Sequence, residues 1–132
     1  MTTQTLKKIL YVEDENDIRT VAKMALEAVG GFEVVACESG SQALAAAPTA
    51  QADLILLDVM MPGMDGPTTF RELRRVPQTA HTPIIFMTAK VQPAEIAQYR
   101  ALGGLDVIAK PFDPMQVSAE IVRIWSAHVK AA

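Results

Sequence analysis

Five residues at four places in the chain have types and positions that could do chemistry. Glu13 and Asp14 follow the apolar run Ile9-Leu10-Tyr11-Val12, and Asp58 follows Leu54-Ile55-Leu56-Leu57. Thr88 follows Pro83-Ile84-Ile85-Phe86-Met87, and Lys110 follows Asp106-Val107-Ile108-Ala109 and precedes Pro111-Phe112. Adjacent carboxylates offer the oxygen donors that a hard divalent cation such as Mg²⁺ takes. Glu13-Asp14-Glu15 has a second explanation, because acidic residues at a helix start complement the dipole and cap amides. Asp58 caps no evident helix, and a carboxylate after four apolar residues is costly to desolvate unless it has a partner or a task. Thr88 adds a hydroxyl and Lys110 a cation; alone, each also reads as a turn residue or a solvated lysine. Asp65 needs no such account, since it precedes Gly66-Pro67 and a helical pattern and reads as an N-cap.

Taken together, Glu13, Asp14 and Asp58 supply three negative charges and Lys110 one positive, a remainder that one Mg²⁺ would neutralise. Without a cation, two carboxylates ~4 Å apart repel by about 4 kcal/mol at an effective dielectric near 20. An ionised Asp58 beside a metal and a lysine could attack a phosphoryl group and form an aspartyl phosphate, with Thr88 donating to its oxygens.

The elements that must position these residues are short. Besides the four runs above, Phe32-Glu33-Val34-Val35-Ala36 reads as a strand. The first, third and fourth runs are almost continuously apolar, as in a parallel sheet covered on both faces. Helical patterns lie between them. Ile18, Val21, Ala22, Ala25 and Val29 follow the spacing of one buried face, closed by Gly30-Gly31. Ala43, Leu44 and Ala47 predict a shorter helix stopped before Pro48, and Phe70 with Leu73 marks a third. A fourth runs from about Pro93 to Leu102. The last is expected to start at Asp113-Pro114 and to bury Val117, Ile121 and Ile124. Strands alternating with helices predict an α/β fold: βαβ units, right-handed crossovers, a doubly wound three-layer sandwich with its site at the carboxyl ends of the strands.

Composition narrows the function classes. The chain has 132 residues, fifteen Asp plus Glu against twelve Lys plus Arg, and a net charge of −3. That size fits one domain, and the mild acidity argues against direct nucleic-acid binding. One cysteine, Cys37, gives no internal disulfide and no cysteine-rich zinc site. No apolar stretch reaches the ~20 residues of a membrane helix, and the start lacks a signal-peptide layout, so a cytoplasmic location is expected.

The sequence resembles the receiver domains of two-component response regulators, the CheY-like family, from about Lys7 to Val129. The motifs are Glu13-Asp14, Asp58 within Asp-Val-Met-Met-Pro-Gly-Met-Asp-Gly, Thr88-Ala89 and Lys110-Pro111-Phe112. The resemblance implies a flavodoxin-like (βα)5 sandwich with strand order 2-1-3-4-5; that order is the family's known one and not a deduction from these residues. It implies a flexible tail over residues 1–6, a receiver domain over 7–129 and no output domain. By the same resemblance Asp58 is the phosphoryl acceptor. Asp14, Asp58 and the backbone carbonyl of Met60 bind Mg²⁺, with Mn²⁺ able to substitute, and Glu13 holds the metal mainly through water. Thr88 and the Ala89 amide meet the phosphoryl oxygens, and Lys110 pairs with them. The implied donor is a phosphohistidine on a sensor histidine kinase or histidine phosphotransfer protein, small phosphodonors can substitute, and the downstream protein target is unknown. The chain would be a signalling switch and not an enzyme, catalysing only its own phosphorylation and hydrolysis.

One position departs from the pattern. Many relatives carry an aromatic ring three residues before the lysine, and Val107 has no ring to swing; Thr88 would instead shift the loop after its strand, with Lys90 and Gln92 reporting it. The apolar Met60 beside the site implies a long-lived phosphoryl group. A flavin carrier of similar topology would cradle phosphate after the first strand, where this chain is acidic. An aspartyl hydrolase would place its nucleophile there and add a cap domain. His81 and His128 have no partners at metal spacing, Cys37 reads as a small packed hydrophobe, and Trp125 reads as packing.

Overall fold

The computed structural model describes residues 5–131. Strand β1 (Lys8–Val12) sets the pattern for the sheet: Ile9 and Tyr11 point to one face, Leu10 and Val12 to the other, and all four are fully buried. A strand apolar on both sides must be covered on both sides, and the chain does so with helices. The order is β1, α1 (Asn16–Ala28), β2 (Glu33–Cys37), α2 (Gly40–Ala50), β3 (Leu54–Asp58), α3 (Gly66–Leu73), β4 (Ile84–Thr88), α4 (Pro93–Leu102), β5 (Asp106–Ala109) and α5 (Val117–Ala131). A single 3-10 turn, Pro77–Thr79, precedes β4. All strand pairs are parallel, in the order β2-β1-β3-β4-β5 that the resemblance implied.

Two apolar layers sandwich the sheet. On one face Ile9, Tyr11, Leu54, Leu56, Ile85, Met87 and Ile108 meet α1 and α5 through Ala22, Leu26, Val117, Ile121, Ile124 and Trp125. On the other, Leu10, Val12, Ile55, Leu57, Ile84 and Phe86 meet α2, α3 and α4 through Ala43, Ala47, Phe70, Leu73, Tyr99 and Leu102. The predicted tail, residues 1–6, falls mostly outside the described residues. Within them, Leu6 packs against the α1–α5 layer, and the Asp53 carboxylate accepts from the Lys7 and Lys8 amides at 3.0 and 2.9 Å.

Three helices differ in detail from the sequence reading. In α1 the buried stripe is Ala22, Ala25 and Leu26; Val21 and Val29 are about half exposed, at 46% and 47%. Val21 lies on the flank of that stripe, and Val29 is the C-cap, beyond the last turn. Helix α2 does not stop before Pro48 but runs through it to Ala50. Proline in the last turn removes one intrahelical bond there, and continuing the helix buries Ala47 and Ala50. Regular α5 begins at Val117, after a turn over 114–116. Asp113 closes that turn, its carboxylate accepting from the Met115 amide and its carbonyl from the Gln116 and Val117 amides.

Candidate functional site

Parallel strands bring their carboxyl ends to one edge, and the five singled-out residues all lie there. Asp58 and Thr88 are the last residues of β3 and β4, Glu13 and Asp14 follow β1, and Lys110 follows β5. Backbone bonds carry the ladder past the strand ends and fix these positions. The Glu13 amide donates to Cys37, the Val59 amide to Met87, and the Lys110 amide to Thr88, all at 2.9–3.0 Å. Gly66, at the start of α3, lets that helix close on the end of β3: a Cβ there would sit 2.6 Å from the Asp58 carbonyl oxygen and 2.7 Å from the Val59 Cα. The Asp65 carboxylate accepts from the Thr68 amide at 2.9 Å, as the N-cap reading required.

The acidic side chains converge. One carboxylate oxygen each from Glu13, Asp14 and Asp58 lies within 4.8 Å of the others, with Glu13 and Asp58 buried and Asp14 half-buried. The Lys110 ammonium donates to Glu13 Oε1 at 2.8 Å and stands 3.3 Å from Asp58 Oδ1, so it bridges the two buried carboxylates. Glu13 Oε2 accepts from the Glu15 amide at 3.3 Å, and Asp58 Oδ1 from the Met60 amide at 3.4 Å. Burial pushes the Asp58 carboxyl up to about 7, reinforced by the Glu13 charge and opposed by Lys110. Burial pulls the Lys110 ammonium down, but its hydrogen bond to Glu13 and the Asp58 and Glu13 charges outweigh this, and the group is raised. Three convergent carboxylates with a surplus of negative charge fit a hard divalent cation, which would relieve the stress now lodged on Asp58.

Thr88 shares the edge and is buried, but its hydroxyl accepts from the Lys90 amide at 3.1 Å and so helps shape the loop that follows. Ala89 and Lys90 are exposed. Met60 is 67% exposed at the mouth of the site. Val107 is half-buried and packs, with Tyr99 of α4, against the layer that contains Phe86. Cys37 and Trp125 are buried in the apolar layers, Cys37 with its thiol raised by burial. His81 and His128 line a depression with Trp125 and Asp53, which none of Glu13, Asp14 and Asp58 lines. The peptide bond between Lys110 and Pro111 is cis.

Two residues of the site were missed by the sequence reading. Arg19, on the first turns of α1, donates to the Glu13 carbonyl at 2.8 Å, bonds Asn16, and stands 3.8 Å from Glu38, tying the acidic loop to α1 and to the residue after β2. Its place six residues after Glu13, on the opening turns of the predicted helix, was the one signal of this. Tyr11 is fully buried. Burial raises its phenol, and the nearby Glu13 and Asp58 charges raise it further. Strand alternation, which puts Tyr11 on the Glu13 side, was the signal there.

A doubly wound parallel sheet with an acidic cluster and a bridging lysine at its carboxyl edge defines a class of protein, and comparison with known proteins agrees. The response regulator receiver domain family matches residues 9–122, and the chain belongs to that family. It is 39% identical over 118 residues to the alkaline phosphatase synthesis transcriptional regulatory protein PhoP of Bacillus subtilis, covering 89% of this chain and 48% of that protein. It is 40% identical over 115 residues to the phosphate regulon transcriptional regulatory protein PhoB of Pseudomonas aeruginosa, covering 87% and 50%. The chain thus spans about half the length of these curated relatives. Among solved structures, the chemotaxis response regulator CheY4 of Vibrio cholerae superposes with a TM-score of 0.82 at 32% identity, covering 91% of this chain and 99% of that one. The domain is therefore a signalling receiver of the two-component type. Among the described residues, no helix is long and apolar enough to cross a membrane.

Proposed function

We propose that Asp58 accepts a phosphoryl group from a phosphohistidine on a sensor histidine kinase or histidine phosphotransfer protein, and that the aspartyl phosphate changes what the domain binds. The observation that carries this reading is the buried Asp58 carboxylate, held at the sheet edge between Glu13 and Lys110 in a receiver fold. In the transfer, an Asp58 carboxylate oxygen forms the new P–O bond as the donor's P–N bond breaks, and the electron pair returns to the histidine nitrogen. Glu13, Asp14, Asp58 and the Met60 carbonyl would hold Mg²⁺, or Mn²⁺ in its place, and the bound ion would offset the charge on the phosphoryl oxygens.

Lys110 orients the same oxygens with its ammonium, already within 3.3 Å of Asp58. Thr88 turns its hydroxyl from the Lys90 amide to the phosphoryl group, with the Ala89 amide beside it, and the loop after β4 shifts as a result. That movement, and not an aromatic swing at Val107, carries the signal. The domain acts on no separate substrate; the chemistry it performs is on its own side chain. Met60 offers attacking water no polar handle, so the phosphoryl group persists well beyond seconds. The domain works in the cytoplasm, where its kinase presents the phosphohistidine.

Acetyl phosphate with Mg²⁺ tests the reading. Intact-mass measurement should show one phosphoryl group on the protein, none in excess chelator and none in Asp58→Asn. Labelling that survives Asp58→Asn would overturn the assignment of the acceptor.

A further inference from the structure

We propose that His81, His128 and Asp53 form a second metal site, at the amino-terminal edge of the sheet, for a borderline transition ion of the Zn²⁺ class. The proposal is independent of the role given to Asp58. The chain has two histidines, and both line one depression of about 340 Å³, together with Asp53 and Trp125. Asp53 lies just before β3, His81 between the 3-10 turn and β4, and His128 near the end of α5, so three separate elements bring these donors to one place. In a parallel sheet the amino ends of the strands lie at the edge opposite Asp58 and Thr88, so the two sites share no ligand. Their chemistry also differs. The all-oxygen cluster of Glu13, Asp14 and Asp58 suits a hard cation, whereas two imidazoles with one carboxylate suit Zn²⁺, Ni²⁺ or Cu²⁺.

The carboxylate is oriented and the imidazoles are unclaimed. Asp53 Oδ2 accepts from the Lys7 and Lys8 amides at 3.0 and 2.9 Å, which fixes the group as an outer partner fixes a metal ligand. Among the described residues no donor reaches Asp53 Oδ1, and neither imidazole makes a hydrogen bond or an ion pair. The three donors do not yet meet at one point: the acidic cluster is the one set of three, among the described residues, whose ligand atoms lie within 4.8 Å of one another. His81 is exposed and His128 half-buried, so both rings can turn toward Asp53 between staggered rotamers. Ordering them costs side-chain entropy, so the site binds more weakly than a closed structural zinc centre. The buried Trp125 ring, 6.1 Å from that of His128, supplies an apolar wall that limits water around the ion. A bound ion would tie the last turns of α5 to the starts of β3 and β4 and, through Asp53, to the first amides of β1.

The test is a calorimetric titration of the untagged protein with Zn²⁺ in excess Mg²⁺, which occupies the acidic residues. One Zn²⁺ should bind per chain, with an affinity that stays the same when the Mg²⁺ excess is doubled. His81→Gln, His128→Gln and Asp53→Asn should each weaken it by more than about tenfold, the loss that follows removal of even an outer partner of a ligand. Thermal melts in chelator check that each variant is folded, and the two histidine variants alter only surface side chains. Trp125 is the one tryptophan of the chain, so quenching of its fluorescence by Ni²⁺ reports on this depression alone. Quenching should saturate in wild type and be lost in His128→Gln. Competition by Mg²⁺ would put the ion on the acidic residues and overturn the proposal. Wild-type affinity in any of the three variants, or no Zn²⁺ binding by wild type, would overturn it too, and each result leaves the acceptor reading of Asp58 standing.

Discussion

Asp58→Asn should make the metal-free protein more stable, although it removes the proposed phosphoryl acceptor. Raising a carboxyl from its ordinary 3.8 to about 7 corresponds to about 4 kcal/mol of penalty on the ionised form in the folded state. Asparagine carries no such charge, but it gives up the attraction of Lys110, 3.3 Å away. Discounting the penalty by half leaves a gain of about 2 kcal/mol, or roughly 6–10 °C in melting temperature for a domain of this length. The gain must depend on pH. The folded state holds the Asp58 proton more tightly than the unfolded chain does. This group's contribution is therefore most favourable below about 4 and is lost as pH rises through about 7. The advantage of Asp58→Asn should be full near pH 8 and shrink to less than half by about pH 5, as wild-type Asp58 takes up its proton. Saturating Mg²⁺ should close the gap from the other side, since ion at a hundredfold excess over its dissociation constant adds about 2.7 kcal/mol to a protein that binds it. Thermal melts by circular dichroism in chelator and in Mg²⁺, across that pH range, read all three effects. If Asp58→Asn melted at or below wild type near pH 8 in chelator, the claim that Asp58 is electrostatically stressed would be refuted.

Lys110→Ala leaves Glu13 buried without its cation, so stability in chelator should fall by about 3 kcal/mol, measurable by urea unfolding. The same change removes a competitor for both carboxylates, so Mg²⁺ affinity by calorimetry should hold or rise; complete loss of Mg²⁺ binding would contradict the assignment of the metal to the carboxylates and of Lys110 to the phosphoryl group. Gly66→Ala drives a methyl group against the Asp58 carbonyl and the Val59 Cα, both backbone. It should cost about 1–3 kcal/mol in urea unfolding and weaken Mg²⁺ binding by shifting the end of β3, whereas a neutral effect on both would show that this close approach is not needed.

What could be read without coordinates follows from which forces are local. The alternation of strands and helices was legible because the apolar runs are short, nearly unbroken and separated by strong stops, such as Gly30-Gly31 and Gly103-Gly104, whereas the strand order came from the family resemblance. Asp58 was legible because four apolar residues lead straight into a carboxylate, a placement that burial makes costly. The face of α1 was not fully legible. Val21 and Val29 satisfy the helical spacing, yet one lies on the flank of the stripe and the other caps the helix end, while Leu26 is completely buried. Pro48 misled because a missing amide in a final turn costs little beside the burial of Ala47 and Ala50. Arg19 and Tyr11 escaped for another reason: their importance lies in groups reached through space, the Glu13 carbonyl for one and the Glu13 and Asp58 charges for the other, at which spacing only hints.

The arrangement at the sheet edge explains why one covalent event could be felt beyond Asp58. Lys110 is shared between Glu13 and Asp58, and Glu13 is in turn held through its backbone by Arg19 and Cys37. Each of these groups sits on a different strand end or on α1, so none can change partner without altering another's balance. A phosphoryl group adds negative charge where two buried carboxylates already compete for one ammonium. Lys110 must then redistribute between the phosphoryl oxygens and Glu13. Meanwhile the Thr88 hydroxyl accepts from the Lys90 amide and keeps its own hydrogen to donate, so a movement of that hydroxyl toward a phosphoryl group would be passed to the loop between β4 and α4. On the proposed reading the signal is a redistribution of charge and hydrogen bonds within a fixed frame of strands, and it needs no ring at Val107.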